Sequence, residues 1–285
     1  MAARTDMAME LEGKAPGGLD GIEKSERVVE EAGLKITQIN VLTDDAASAL
    51  GKPPGRYITA ACLSGRLCDS PDLAALRAGV LAQELMRLRP LPERVLVAGL
   101  GNTAITPDSL GPGVSAGVLA TRHLKRIPDL DTSDLSEVTV IAAGVMAQTG
   151  LEPQTVIGAL CRETRPQLVI AVDALACSEL CHLGSTIQLC DTGISPGSGV
   201  GNARPELSEV TLGVPCIAVG VPTVTDCSVI AEAAGGSELP EHLGMIVTPK
   251  DIDSLISRSA AIISLGINLA LHPALTPEEI ALIMS

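Results

Sequence analysis

From residue 94 onward, short runs of apolar residues alternate with longer stretches in which apolar positions recur every three or four residues. The first pattern is typical of buried strands and the second of amphipathic helices. The predicted strands are 94–99, 137–142, 167–172, 185–190 and 214–219. The predicted helices are 109–125, 153–164, 226–234, 251–271 and 276–284. This alternation indicates βαβ units, so we predict an α/β fold with a mainly parallel sheet flanked by helices.

The N-terminal part of the chain follows a different pattern. Residues 1–30 are polar, acidic and glycine-containing, which predicts a flexible lead-in. Strands are predicted at 34–42 and 56–61, with a glycine- and proline-rich turn between them. Ser70 and Pro71 are typical of a helix start and predict a helix that begins there. We expect the two early strands to form an edge extension of the sheet or a small added lobe.

Two aspartates follow the patterns of buried strands. Asp173 comes directly after the apolar run 168–172, and Asp108 comes a few residues after the run 94–100. Sites in open α/β sheets form at the carboxyl ends of the strands, so we expect both carboxylates near one edge. Neighbouring carboxylates resist joint ionisation, which lets one stay protonated while the other activates water. The pair predicts a hydrolase, and the alternative role for Asp108 is that of a helix cap.

Asp191 and Asp226 follow predicted strands in the same way. Four acids at strand ends are more than one site needs. We therefore expect structural capping to account for some of them.

Two loops of small residues are further candidates. The loop 99–102 lacks the third glycine of the dinucleotide-binding fingerprint. The segment 195–202 could present backbone N–H groups to a carbonyl oxygen or a phosphate, or bring backbone close to an extended peptide; its alternative is a surface connection. It lacks the full spacing of a nucleophile elbow. The residues predicted to bind substrate or an oxyanion are Asn102, Gly197, Ser198, Gly199, Gly201 and Asn202.

Composition narrows the range of partners. The chain has 285 residues, enough for a sizeable core, and a net charge of −14, which disfavours binding to a phosphate backbone. Phe and Trp are absent and Tyr57 is the only aromatic residue, so there is no platform for stacking bases. We therefore expect no direct contact with nucleic acid.

The cysteines and the apolar stretches indicate in which cellular compartment the protein lies. Eight cysteines in so long a chain, with no apolar signal segment ahead of them, indicate a reduced cytosol rather than a disulfide framework. Cys177, Cys181 and His182 lack the second ligand pair of a zinc motif, so no metal site is predicted. The stretch 255–271 is the most membrane-like, but Arg258 and its serines favour a buried or subunit-facing helix.

Many segments of the chain resemble the germination protease family of spore-forming bacteria. They occur in the family's order along most of the chain, which is far more specific than any single glycine loop. The matching segments are 4–8, 99–102, 106–112, 121–124, 144–150, 169–176, 191–194, 196–202, 220–224 and 247–253.

The resemblance implies a cytoplasmic endopeptidase that starts the degradation of small acid-soluble, DNA-binding spore proteins during germination, without a cofactor. It implies an atypical aspartic mechanism with Asp108 and Asp173 as the catalytic pair, and a fold similar to hydrogenase-maturation proteases. It further implies a homotetramer made as a zymogen, which cuts its own propeptide at an acid–apolar–Ala sequence. Here that sequence is Asp6-Met7-Ala8. Residues 1–6 are therefore expected to be a propeptide, and residues 7–285 a single peptidase domain.

Three alternatives remain open from the sequence. The first is a metal-dependent peptidase in which Asp108 and Asp173 are ligands, together with a histidine. The second is a nucleotide-binding module that uses the loop 99–102. The third is an inactive assembly protein of the same fold.

Overall fold

The alternating apolar runs of the sequence form the strands of one sheet in the computed structural model, which describes residues 5–13, 20–235 and 245–284. The strands are β1 (Ile22–Val29), β2 (Leu34–Val41), β3 (Gly55–Cys62), β4 (Arg94–Leu100), β5 (Glu137–Gly144), β6 (Leu168–Cys177), β7 (Thr186–Cys190), β8 (Cys216–Asp226) and β9 (Ile246–Val247). The described strands follow the order β1-β2-β3-β7-β8-β6-β4-β5, and β9 pairs with β8.

Helices lie between most of these strands. They are α1 (Ala8–Gly13), α2 (Asp44–Leu50), α3 (Ala74–Leu88), α4 (Leu110–Gly117), α5 (Met146–Thr149), α6 (Pro153–Thr164), α7 (Glu209–Leu212), α8 (Cys227–Ala233), α9 (Ile252–Leu271) and α10 (Pro277–Met284). The predicted α/β class, with helices flanking a central sheet, is confirmed.

Among the described strands, four take part in parallel pairing. β5, β4, β6 and β8 pair in parallel, whereas β8, β7, β3, β2 and β1 pair antiparallel in succession. The mainly parallel pairing that we expected therefore holds only for the central block. The link 178–185 between β6 and β7 is too short for a crossover helix, so β7 must run opposite to β6. The predicted edge extension is confirmed for β2 and β3, and β1 adds a strand to it that was not predicted.

Helices cover both faces of the sheet. On one face α3, α4 and α9 pack against alternate residues of β4, β6 and β8. On the other face α6 packs near β4 and β6, while α1 and α2 pack near β2 and β3. Both faces of the central strands are therefore buried, which explains their continuous apolar runs.

The most membrane-like stretch is a helix of the core. Among the described residues, α9 is the one helix long and apolar enough to cross a membrane, and 67% of its most apolar window is buried in the protein. Leu255, Ile263 and Ile267 are each 0% exposed. Burying each such side chain contributes about 1.5–3 kcal/mol, so α9 is a main source of core stability.

The expected flexible lead-in is wrong for most of residues 5–30. Residues 8–13 form α1, and β1 pairs along its whole length with β2. β1 escaped prediction because it lies at the edge of the sheet, where most of its side chains are exposed and leave no apolar alternation. Residues 1–4 and 14–19 lie outside the described part of the chain.

The helix predicted at 109–125 ends at Gly117. The amide of Asn268 in α9 accepts a hydrogen bond from the N–H of Leu119 (2.9 Å) and donates one to the carbonyl of Gly117 (2.9 Å). A side chain distant in sequence thus satisfies the backbone groups that the helix end leaves free.

Candidate functional site

Three residues form a row across β6, β8 and β7. Asp173 lies opposite Gly220, and Gly220 lies opposite Gln188. Neighbouring strands are about 4.8 Å apart, so the backbones of Asp173 and Gln188 are roughly 10 Å apart and their side chains point to the same face. Asp173 is the first residue of β6 beyond its last pair with β4, Gly99–Val172. It lies within β6 rather than at the strand's end, because β6 continues beside β8 after β4 has stopped.

Asp108 reaches this region from the loop that follows β4. It ends a single turn of 3-10 helix that packs against β6 and β8. Thr223 in β8 donates a hydrogen bond to the carbonyl of Pro107 (2.8 Å), and the N–H of Asn102 donates to Oδ2 of Asp108 (2.9 Å). A Cβ at Gly101, where φ is +111°, would lie 1.9 Å from the Asp108 carbonyl oxygen. The turn therefore requires glycine at that position to hold Asp108 in place.

The two carboxyl groups influence each other's protonation. Burial raises the pKa of Asp173 well above its ordinary value, and the negative charge of Asp108 raises it further, while a hydrogen bond from the N–H of Ala174 opposes both effects. Burial also raises the pKa of Asp108, and the Asn102 N–H partly offsets the rise. Because one negative charge disfavours the second, the pair can hold one proton while carrying one charge. Such a pair can supply a general base and a general acid together.

The N-terminal segment, Asp6-Met7-Ala8, lies against the strands of the site. The N–H of Asp6 donates to the carbonyl of Ala176 in β6 (3.0 Å), and the N–H of Ala176 donates to Asp6 Oδ2 (2.9 Å). The hydroxyl of Ser198 donates to Asp6 Oδ1 (2.7 Å). The charge of Asp6 also contributes to the raised pKa of Asp173, so the Asp6 carboxylate lies within electrostatic reach of Asp173.

The next two residues of the segment are buried. Met7 is 0% exposed and packs with Leu175, Cys177 and other apolar side chains. Ala8 is also 0% exposed and packs with the cluster around Tyr57 and Ala218. A larger side chain at position 8 would have to displace this packing. The site thus holds an acidic, an apolar and a small residue in succession.

Gln188 binds the segment through both ends of its amide. Its Nε2 donates to the carbonyl oxygen of Asp6 (3.1 Å), and its Oε1 accepts from the N–H of Ala8 (2.9 Å). Sequence reasoning missed Gln188, since a single polar residue within an apolar strand has no motif around it. Its position inside the buried run 186–190 was the one available signal.

The loop 195–202 contacts Asp6 through the side chain of Ser198 and through the close approach of Gly199. Most of its backbone N–H groups are bonded within the loop itself. Ser198–Val200 form a short 3-10 turn between Gly197 and Gly201, which both have φ of +73°. The N–H groups of residues 198, 200, 201 and 202 donate to carbonyls within the segment 195–202. A Cβ at Gly199 would lie 2.2 Å from Asp6 Oδ2, so glycine is needed for the close approach of the Asp6 carboxylate.

Asn102 acts on Asp108 through its backbone. Its side-chain oxygen accepts from the N–H of Ala104 (2.9 Å) and from the amide of Gln148 (2.5 Å). Asn202 donates its N–H to the carbonyl of Gly197 (2.9 Å) and so closes the loop. These contacts assign both asparagines to shaping the loops around the site.

A buried acid anchors the helix that follows the segment. Glu10 in α1 is 1% exposed and accepts hydrogen bonds from the N–H and hydroxyl of Ser178, both 2.7 Å, and lies 2.7 Å from Nδ1 of His182. Burial alone would raise the pKa of Glu10, but the hydrogen bonds from His182, Thr5 and Ser178 outweigh it, and the pKa is lowered. The charged form of Glu10 therefore holds α1 beside the end of β6.

Replacing Glu10 with Gln is expected to destabilise the protein by about 2 kcal/mol at neutral pH, because a charged hydrogen-bond acceptor is lost from a buried site. A lowered pKa contributes stability that is present above the ordinary value of 4.5 and is lost as the pH falls through the folded-state pKa. The difference between wild type and variant should therefore shrink in acid, as measured by urea unfolding at several pH values. Glu12→Gln on the same helix, a half-exposed partner of Lys24, is the control and should change stability by less than about 1 kcal/mol. A difference that does not vary with pH would contradict this account of Glu10.

The remaining acids at strand ends have structural roles. Asp191 accepts hydrogen bonds from the N–H (2.7 Å) and Nε (2.8 Å) of Arg56. Asp226 caps α8 by accepting from the N–H of Ser228 (2.8 Å). The expectation that capping accounts for some of these acids is confirmed for Asp226.

The chain is similar to known proteins over most of its length. The family model described as germination protease matches residues 3–236. A germination protease from Clostridium perfringens (strain ATCC 13124) is 37% identical over 97% of both chains. One from Caldanaerobacter subterraneus is 39% identical over 98% of this chain and 97% of its own. One from Bacillus velezensis is 38% identical over 97% of this chain and 76% of its own.

A solved structure is similar over part of the chain. It is a nickel–iron hydrogenase maturation protease from Thermococcus kodakarensis, with 20% identity and a TM-score of 0.33. The similarity covers 60% of this chain and 90% of that protein.

Proposed function

The chain belongs to the germination protease family and is a peptidase of spore germination, and we propose that it is the endopeptidase that initiates the degradation of small acid-soluble, DNA-binding spore proteins. In this proposal Asp108 and Asp173 are the catalytic pair. The chain is a zymogen that cleaves itself between Asp6 and Met7.

The position of Asp6-Met7-Ala8 is the observation that carries the proposal. An acid is bound by Ser198 and the Ala176 N–H, and the two residues that follow it are 0% exposed. The segment has the acid–apolar–Ala order that the family resemblance implies for a cleavage site. The charge of its carboxylate contributes to the raised pKa of Asp173, which supports a cleavage site at the peptide bond after Asp6.

The acid pair supplies both proton transfers of hydrolysis. The ionised aspartate takes a proton from water as the water oxygen attacks the carbonyl carbon of Asp6. The protonated aspartate donates its proton to the nitrogen of Met7 as the C–N bond breaks, which releases a carboxyl group on Asp6 and an amino group on Met7. Asp173 is the more deeply buried of the two, and burial favours its protonated form, so we assign Asp173 as the donor and Asp108 as the base.

The metal-dependent alternative draws no support from the arrangement of ligands. Within the described residues, the groups of acids, cysteines and histidines close enough to share an ion are Glu179, Cys181 and His182, and Cys68, Asp69 and Asp251. Neither group contains Asp108 or Asp173. Cleavage that survives a strong chelator is therefore the expected result.

We also propose that the enzyme acts as a cytoplasmic homotetramer. The helix α9 was expected to contribute to the subunit interface, but it is packed into the core of its own chain and leaves little surface for one. Light scattering coupled to size-exclusion chromatography measures the assembly directly, and a monomer would contradict this part of the proposal.

The test of the proposed function begins with the full chain. We expect incubation to remove residues 1–6, detected by intact mass and by a new N-terminus at Met7, at a rate that does not depend on protein concentration. Incubation with a small acid-soluble spore protein should yield fragments cut after an acid and before an apolar residue and Ala. A chain that keeps its mass and leaves the spore protein intact across the pH range would contradict the proposal.

A further inference from the structure

We propose that Gln188 is a catalytic residue, whose side-chain N–H binds the carbonyl oxygen of the bond that is cut and stabilises the negative charge that develops there. This inference rests on the proposed function, since it takes Asp6–Met7 as the scissile bond. Nε2 of Gln188 lies 3.1 Å from the Asp6 carbonyl oxygen, within the range of a donor to an oxyanion.

The hydrogen-bond network determines which end of the amide faces the carbonyl. The N–H of Ala8 can only donate, so the atom 2.9 Å from it must be the side-chain oxygen of Gln188. The amide nitrogen is then the atom that faces the carbonyl oxygen of Asp6, which can only accept. Gln188 therefore holds the two peptide groups on either side of Met7, one through each end of its amide.

The hydrogen-bond partners of the Gln188 side chain lie in the N-terminal segment rather than in the sheet. Its side chain is buried, with 7% exposure, and its two side-chain hydrogen bonds among the described residues both go to the segment. Without a bound peptide, this buried amide would have neither of these partners. A buried polar group whose partners both lie in the bound segment indicates a role in binding or catalysis.

The row across the sheet places the donor on the same face as Asp173. Gln188 and Asp173 stand on the two strands that flank β8 and point to the same face, separated by Gly220. The carbonyl held by Gln188 therefore lies on the face of the sheet that carries Asp173, and the side chain of Leu175 lies over Gly220 on that face. A donor fixed in advance in a buried site needs no reorganisation as the carbonyl oxygen becomes negative, which is how such groups lower a reaction barrier.

The test separates the catalytic contact from the docking contact. Gln188→Glu keeps an oxygen that can accept from the Ala8 N–H but loses the N–H donor to the carbonyl. We expect self-cleavage of the full chain to slow about 100- to 1,000-fold, the range for the loss of one oxyanion donor. The rate relative to wild type should recover as the pH falls, because a protonated Glu regains a donor. Gln38→Glu, on the other face of the sheet, is the matched control and should cleave at the wild-type rate.

Docking is measured separately in the uncleavable Asp173→Asn background. Amide hydrogen exchange at Ala8 should stay protected in the Gln188→Glu chain, whereas Gln188→Met loses both contacts and should lose that protection. Full-rate cleavage by Gln188→Glu with Ala8 protected would overturn the proposal. Slowing that matches the loss of protection in both variants, with no recovery at low pH, would make Gln188 a docking residue only and would also overturn it.

Failure of the proposed function has a different signature. If the wild-type chain does not cut itself, or if Asp173→Asn cuts normally, the acid-pair mechanism is wrong whatever Gln188 does. If wild type cleaves, Asp173→Asn does not, and Gln188→Glu behaves as wild type, only the role of Gln188 is lost.

Discussion

Asp173→Asn is expected to reduce the rates of self-cleavage and of spore-protein cleavage by about 100- to 10,000-fold, which is the rate enhancement that a positioned general acid or base contributes. The substitution removes the proton that the pair shares, while the Asn oxygen can still accept the hydrogen bond from the Ala174 N–H. Asp108→Asn should have a comparable effect, because the pair acts as a unit. The measurement is the first-order rate at which the N-terminus at Met7 appears.

The same variant should be more stable than wild type at neutral pH. The pKa of Asp173 is raised, so its contribution to stability is complete below the ordinary value of 3.8 and is lost as the pH rises through the folded-state pKa. At neutral pH the unfolded chain is stabilised by ionising Asp173, and the folded chain, in which the group is buried, is not, whereas Asn ionises in neither state. The variant should therefore be the more stable at neutral pH, and the advantage should disappear in acid. Urea unfolding across the pH range tests this sign.

Asp226→Asn is the matched control for this substitution. It is an acid-to-amide change at the end of β8, where Asn caps a helix as well as Asp does. It should leave both cleavage and stability near wild type. Near-normal cleavage by either Asp108→Asn or Asp173→Asn would end the acid-pair mechanism.

Asp6→Ala is expected to reduce self-cleavage about 100-fold or more. Two hydrogen bonds to a charged carboxylate are lost, each worth about 1.5–3 kcal/mol, and the N–H of Ala176 is left without its partner. Ser198→Ala removes one of the two bonds and should reduce the rate less. Loss of these contacts loosens the segment that holds the Asp6–Met7 bond in place. Amide hydrogen exchange at Ala8, measured in the Asp173→Asn background, should therefore be faster in the Asp6→Ala variant.

Asp20→Ala is the control for loss of an acid near the N-terminus, since Asp20 is exposed and distant from the acid pair. It should process at the wild-type rate. Wild-type processing by Asp6→Ala would mean that the Ser198 contact does not select the cleavage site.

Local patterns predicted the central elements closely because each pattern reflects burial. The runs at β4 and β6 are buried on both faces, and α6 was predicted with the bounds observed, Pro153–Thr164. The same reasoning failed where burial was one-sided or absent. β1 has a mostly exposed, polar surface, and α4 ends early because Asn268 binds the backbone at its end.

The acid pair and the glycine-rich loops were identified from the sequence, but the contacts that these loops make with the N-terminal segment were not. Asp108 and Asp173 were found because each follows an apolar run, and the position of Ser198 was marked by the glycines around it. That Ser198 would bind Asp6 had no local sign, since the two residues are 192 positions apart.

The sequence by itself determined the class of fold and the family, and it predicted the two acids and the acid–apolar–Ala tripeptide, because each is a pattern of neighbouring residues. Only the tertiary structure decided that the tripeptide lies in the site, that Glu10 anchors the helix behind it, and that Gln188 reaches its backbone across 182 positions. The physical reason is that periodicity reports which side of an element is buried. It does not report which distant residue fills the space beside it, and that is settled when the strands take their order in the sheet.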